Sequence, residues 1–167
     1  MAIVLDATVS GTNSNSYLTI ARSNVLAEQL PHLKDWLTET DVNKAQLLVR
    51  ATWLIDLYFY PTGARAVEAQ ARLWPRVHVV DIRKGTLLSS VAIPDFVEWA
   101  TIEWAGELYR NPDMWDDVGY GLRRLETPSY RMEFDGQPSR LIPRVVQTLL
   151  AAYSMAVASP FHRVVRM

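Results

Sequence analysis

The sequence predicts a mainly α protein: a helical bundle of about four helices with an inserted β-hairpin, a short N-terminal strand and an extended C-terminal tail. Three observations carry that expectation. The run Asn43 to Phe59, NKAQLLVRATWLIDLYF, repeats its apolar residues at helical period. Two further stretches, Pro94 to Tyr109 and Pro143 to Ala156, do the same, each opened by a proline at its first turn. Between those two, Tyr130 to Asp135 alternates apolar and charged residues after the turn Thr127-Pro128-Ser129, as a hairpin strand does.

Taking the chain in order, Ile3 to Leu5 is β-branched and runs into the turn-rich stretch Gly11 to Ser16, which reads as a brief strand and a loop. Thr19 can cap a first helix from Ile20 to Leu30, closed by Pro31. Residues 31 to 39 form a connector with Leu33, Trp36 and Leu37 tucked inward. The main helix follows, capped by Thr40 or Asp41 and stopped by Pro61 and Gly63. Leu47, Leu48, Ala51, Leu54, Ile55, Tyr58 and Phe59 share one arc of it, with Lys44 the only polar intruder. Its back is unusual, because Val49, Trp53 and Leu57 sit there among Gln46, Arg50 and Asp56; either other helices of the chain or a neighbouring subunit must cover them.

In Gln70 to Arg76, QARLWPR, Pro75 forces Trp74 out of the helical region, so a helix is expected to end there. Val77 to Leu88 reads as an extended surface loop. The third helix has Phe96, Val97, Ala100, Trp104, Ala105 and Leu108 on its core arc and leaves Trp99 and Ile102 to be covered by other helices of the chain or by a neighbouring subunit. The acidic turn Asn111 to Asp117 precedes the hairpin, at about residues 121–135, whose charged face is expected to project from the bundle. The last helix puts Val145, Val146, Leu149, Leu150, Ala152 and Tyr153 on one side. One domain over residues 1–156 and a tail over 157–167 is the organisation expected of a chain of 167 residues.

Composition narrows the chemistry. With no cysteine, disulfides, thiolate metal sites and a cysteine nucleophile are excluded, which fits a reducing cytoplasm. No apolar run approaches the ~20 residues of a membrane span and no signal sequence is evident, so a soluble, unexported protein is expected. Net charge is −1, with ten basic against fifteen acidic residues up to position 117 and seven against three beyond it. Fourteen of the 17 basic residues are Arg, and there are six Trp, a pairing suited to desolvated contacts with a partner.

Glu98, Glu103 and Glu107 lie on one helix, but such glutamates read as a solvated face rather than an acid and base pair. His32, His78 and His162 have no ligand spacing, so no metal site is expected, and neither a Gly-flanked Ser nor a Gly-rich phosphate loop occurs. No catalytic residue and no cofactor are therefore assigned. What remains is basic and aromatic: Arg123, Arg124 and Arg131 around Tyr130 and Phe134, and the tail residues Phe161, His162, Arg163, Val164, Val165 and Arg166. Such a mixture can grip single-stranded nucleic acid or dock an acidic protein surface; the interrupting acidic residues favour a protein interface.

The order of landmarks, NSYLTIARSN, KAQLLVRATWLIDLYF, QARLWPR, AIPDFVEWATIEWAGELY, a polar hairpin and IPRVVQTLLAAYS, resembles the head-tail adaptor (connector) proteins of tailed bacteriophages over about residues 13–155. Sequences of this type are often labelled DnaT-like single-stranded-DNA-binding proteins. Gln70, Trp74, Pro75 and Arg76 are the most specific piece, and Arg22 departs from the acidic residue usual three positions after the helix cap. The resemblance implies a non-enzymatic virion protein made in the host cytoplasm and placed at the head-tail junction. It implies a homo-oligomeric, dodecameric ring on the portal protein that joins tail, nozzle or terminator components, with DNA threading the ring and no membrane contact. The tail, the hairpin arginines and Trp99 are expected to meet such partners.

Overall fold

Helix α3 (Asp95–Arg110) is enclosed on almost every side, and the other elements are arranged around it. The computed structural model describes residues 3–112, 124–127, 130–133 and 142–156. Within them the order is α1 (Ile20–Ala27), a 3₁₀ segment (Pro31–Thr38), α2 (Asp41–Tyr58), β1 (Phe59–Pro61), β2 (Ala64–Arg65), β3 (Arg76–Val77), α3, β4 (Arg124–Thr127), β5 (Tyr130–Glu133), α4 (Arg144–Leu150) and β6 (Ser154–Ala156). The protein is mainly α, with a short β-hairpin, as its periodicities predict.

α3 packs chiefly against α2 and α4, and α1 also touches it. Val97, Ala100, Ile102, Trp104, Ala105 and Leu108 are all buried, so of the two covers open to Ile102, which stood off the expected core arc, it is the chain's own helices that provide it. A single apolar arc understates a central helix, because helices on two sides supply two buried faces. Gly106 marks the closest approach: a Cβ there would stand 2.3 Å from Cδ2 of the buried Leu33. Trp104 lies 6.0 Å from Tyr58 and meets Phe59 edge-on at 6.4 Å.

Thr40 caps α2 by accepting from the Asn43 amide at 3.3 Å. Leu48, Ala51, Leu54 and Ile55 are fully buried on the expected arc. Lys44 is buried too; its stem lies in the core while its ammonium reaches out to the Leu37 carbonyl at 3.5 Å. Thr19 caps α1 through the Arg22 amide at 3.1 Å. That helix ends at Ala27 rather than Leu30, because Gln29 and Leu30 donate to Leu26 and Ala27 in tighter 3₁₀ bonds. Arg22 occupies the position where a capping glutamate would sit and turns instead to α3, donating to Glu98 from Nε and Nη2 at 2.9 and 2.7 Å. The connector is a 3₁₀ segment with Leu33 and Trp36 buried and Leu37 exposed.

Four local expectations are corrected. Residues 3–5 join no strand ladder; the Asn15 side chain serves that backbone instead, donating to the Val4 carbonyl and accepting from the Asp6 amide, both at 2.8 Å. No helix ends at QARLWPR, where residues 66–75 are turns and bends. The loop after Val77 is not wholly on the surface, since Val79 is buried and Val80 bridges Leu87. Finally α4 stops at Leu150, and Ser154–Ala156 forms β6, antiparallel to β1 with Phe59 opposite Ala156. There the Ser154 hydroxyl donates to Leu150 O at 2.6 Å, and the ladder to β1 outweighs continuation of the helix.

The hairpin forms as predicted, from Arg124 opposite Glu133 to Thr127 opposite Tyr130. Its projection from the bundle and the tail at 157–167 lie outside the described side chains and residues.

The segment QARLWPR is a knot of side chain to backbone bonds. The peptide between Trp74 and Pro75 is cis, and Trp74 is buried with its ring edge-on to Phe96 at 5.3 Å. Gln70, also buried, accepts from the Val67 amide at 3.0 Å and donates to the Arg72 and Pro75 carbonyls at 2.8 and 3.1 Å. Arg76 donates to the carbonyls of Pro61, Thr62 and Gly63 at 3.3, 3.2 and 2.7 Å. Lysine cannot reproduce that fork. Arg76→Lys should lower unfolding free energy by about 2 kcal/mol, read from urea melts; an unchanged midpoint would mean the three carbonyls are equally well served by water.

Candidate functional site: an arginine and tryptophan basin on the back of α2

The back of α2 is left uncovered by the described residues: Trp53 is 44% exposed, Leu57 46%, and Val49 half-buried. Beside them opens a shallow basin of about 460 Å³. Gln46, Val49, Arg50 and Trp53 of α2 form its floor, Ile3 and Asn15 of the N-terminal segment one wall, and Arg72 of the knot the other. Helical geometry puts Arg50 and Trp53 three residues apart on one face, and the Arg50 guanidinium carbon stands 4.6 Å from the Trp53 ring centroid. Such a cation over an indole contributes about 0.5 to 1 kcal/mol at an exposed site.

Arg72 is held from below. Its Nε donates to the Ser14 carbonyl at 2.9 Å, and its Nη1 lies 3.5 Å from Oδ2 of Asp56. The other Asp56 oxygen accepts a short hydrogen bond from the Tyr17 hydroxyl, which itself accepts from the Trp74 amide at 3.2 Å. The Tyr17 amide donates to Thr52 Oγ1 at 3.1 Å. N-terminal segment, main helix and knot are thus tied together under the basin. Burial pushes the Asp56 carboxyl up to about 6, although the Tyr17 hydroxyl and Arg72 both favour its ionised form. Burial and the neighbouring carboxylate push the Tyr17 phenol well up.

An aromatic face, two guanidinium groups and the Gln46 amide can stack on a planar group and hold phosphates. They supply no nucleophile paired with a base. Glu98, Glu103 and Glu107 are occupied elsewhere, by Arg22, by His32 at 3.0 Å and by Arg110 at 3.0 Å. Among the described residues no three His, Asp or Glu side chains gather as metal ligands.

Of the residues singled out by sequence, Gln70, Trp74, Pro75 and Arg76 come together as the knot behind the basin. Trp99 is half-buried against the core of α3, away from the basin lining. Arg124 and Arg131 lie on the hairpin, where the register sets them opposite Glu133 and Glu126. Arg123, Phe161, His162, Arg163, Val164, Val165 and Arg166 lie outside the described residues. Arg72 and Arg50 were missed as site residues. The signal for Arg50 was the odd back face of α2, and that for Arg72 was its place inside QARLWPR.

Fold and basin together define a small, mainly α protein with an open basin lined by arginine and tryptophan. The whole chain, residues 1–167, matches the family model described as "Putative DnaT-like ssDNA binding protein", and the chain belongs to that family. No match was found among curated proteins or among solved structures.

The Asp56 carboxyl binds its proton more tightly when folded, at about 6 against about 3.9 in an unfolded chain. Its ionised form therefore costs stability at neutral pH, and that cost is relieved as pH falls from about 7 towards 4. Asp56→Asn, which keeps an acceptor for Tyr17, should raise stability at neutral pH by roughly 2 kcal/mol and leave it unchanged near pH 4. A loss of stability at neutral pH would show that the pairing with Arg72 outweighs burial.

Proposed function

We propose that this protein binds single-stranded DNA without base preference and without catalysis, using the basin on α2. The observation that carries the reading is the half-exposed Trp53 flanked by Arg50 and Arg72, in a chain whose family is described by that activity. Base stacking on an exposed ring tolerates any sequence, and guanidinium groups meet the phosphates on either side. Binding of a labelled oligonucleotide should weaken linearly with the logarithm of salt, with a slope near −0.7 for each phosphate held. Trp53→Ala should weaken binding by about 1 to 3 kcal/mol, roughly ten- to hundredfold, with the salt slope retained.

A second reading is supported by a different property of the same helix. Val49, Trp53 and Leu57 recur at every fourth residue, the ridge that helices use to pack on one another. In this reading the chain is a phage head-tail adaptor at the virion's head-tail junction, a homo-oligomeric ring of dodecameric order on the portal protein, joined to a tail component and threaded by DNA. Ring contacts are heterologous, so the α2 ridge would meet a different patch of the next copy. Oligonucleotide affinity that is absent at low salt, together with assembly that Leu57→Glu abolishes, would establish this reading over the first.

A further inference from the structure

Arg72 is one of the two guanidinium groups lining the basin, yet it shares its charge with a carboxylate beneath it. The side chain of Asp56 is only 15% exposed and that of Arg72 24%, so their contact is poorly screened by solvent. The groups facing Asp56 are the Tyr17 hydroxyl from the N-terminal segment, Arg72 and the Leu73 amide from the knot, and the more distant Arg65 of β2. None of them is a second carboxylate that could take over the role. We propose that Asp56 is a proton-operated counter-charge: ionised, it neutralises Arg72 and mutes the basin; protonated, it leaves the full charge of Arg72 to a phosphate of the bound strand.

This rests on the DNA-binding reading above. Asp56 touches no strand itself and is a positioning residue acting through Arg72. Because the carboxyl titrates at about 6, the change falls between neutral and mildly acidic pH. The bond from Arg72 Nε to the Ser14 carbonyl does not involve Asp56, so the proposal requires no movement of Arg72. The proton adds one positive charge to the rim of the basin.

The test is the affinity of the full chain for labelled oligo(dT) as a function of pH and salt. From about pH 7.5 to about pH 5 the wild type should bind roughly three- to tenfold more tightly, with its salt slope steeper by about 0.7, one further phosphate. Asp56→Asn at about pH 7.5 should bind as the wild type does at about pH 5, and its affinity should hardly respond to pH. The chain also has three histidines, so the variant is the deciding arm. A wild-type pH response that persists in Asp56→Asn overturns the proposal, as does equal binding at both pH values. The Arg72 Nε–H resonance of the free protein provides a readout without DNA. If it shifts with a midpoint near 6 in the wild type and not in the variant, while no strand binds, the coupling stands and the DNA-binding reading falls; a resonance indifferent to pH overturns the coupling itself.

Discussion

An irregular stretch of chain can enter a core only if its own polar backbone finds partners there, and this constraint shapes the protein around Trp74. The indole is buried, but it arrives on turns and bends rather than on a helix or strand. Gln70 and Arg76 supply the missing partners from side chains, Gln70 within its own segment and Arg76 across to the Pro61–Gly63 turn. That turn follows β1, which in turn pairs β6 at the far end of the described chain. The knot therefore ties together segments that are distant in sequence.

The same constraint positions the basin. Arg72 projects from the knot towards α2 because Gln70 holds its carbonyl and Ser14 receives its Nε. Tyr17 links that assembly to Asp56 and to the Trp74 amide, so the Arg72 wall of the basin is tied to the core behind it. A rigid wall suits recognition, since little side-chain entropy remains to be lost on binding.

Helix α2 carries two apolar faces with different fates. One is sealed by α3, and the other, with Trp53 and Leu57, is left about half exposed by the described residues. Both proposed readings give that apolar surface a partner. On the proposed readings, a strand of DNA would use the ring of Trp53 and the charges beside it, whereas a subunit would use the whole ridge from Val49 to Leu57. The two readings thus differ in whether Leu57 or Arg72 matters more.

What the sequence determined by itself was local: the helices α2 and α3, the choice of Thr40 or Asp41 as the cap of α2, the cap of α1 at Thr19, and the hairpin of which Arg124–Thr127 and Tyr130–Glu133 pair. These follow from period, capping chemistry and turn residues, which act within a few positions. The importance of Gln70, Trp74, Pro75 and Arg76 was legible, but not their role, because a cis bond and a web of side chain to carbonyl bonds leave no periodic trace. Only the tertiary structure ended α4 at Leu150, since the ladder between β6 and β1 competes with helix propensity across more than ninety residues of chain. It alone buried Ile102 and left Trp53 exposed, although both stood off the apolar arcs of their helices. Which face of a helix is covered depends on how many neighbours surround it, and that number is set by packing rather than by the helix's own residues.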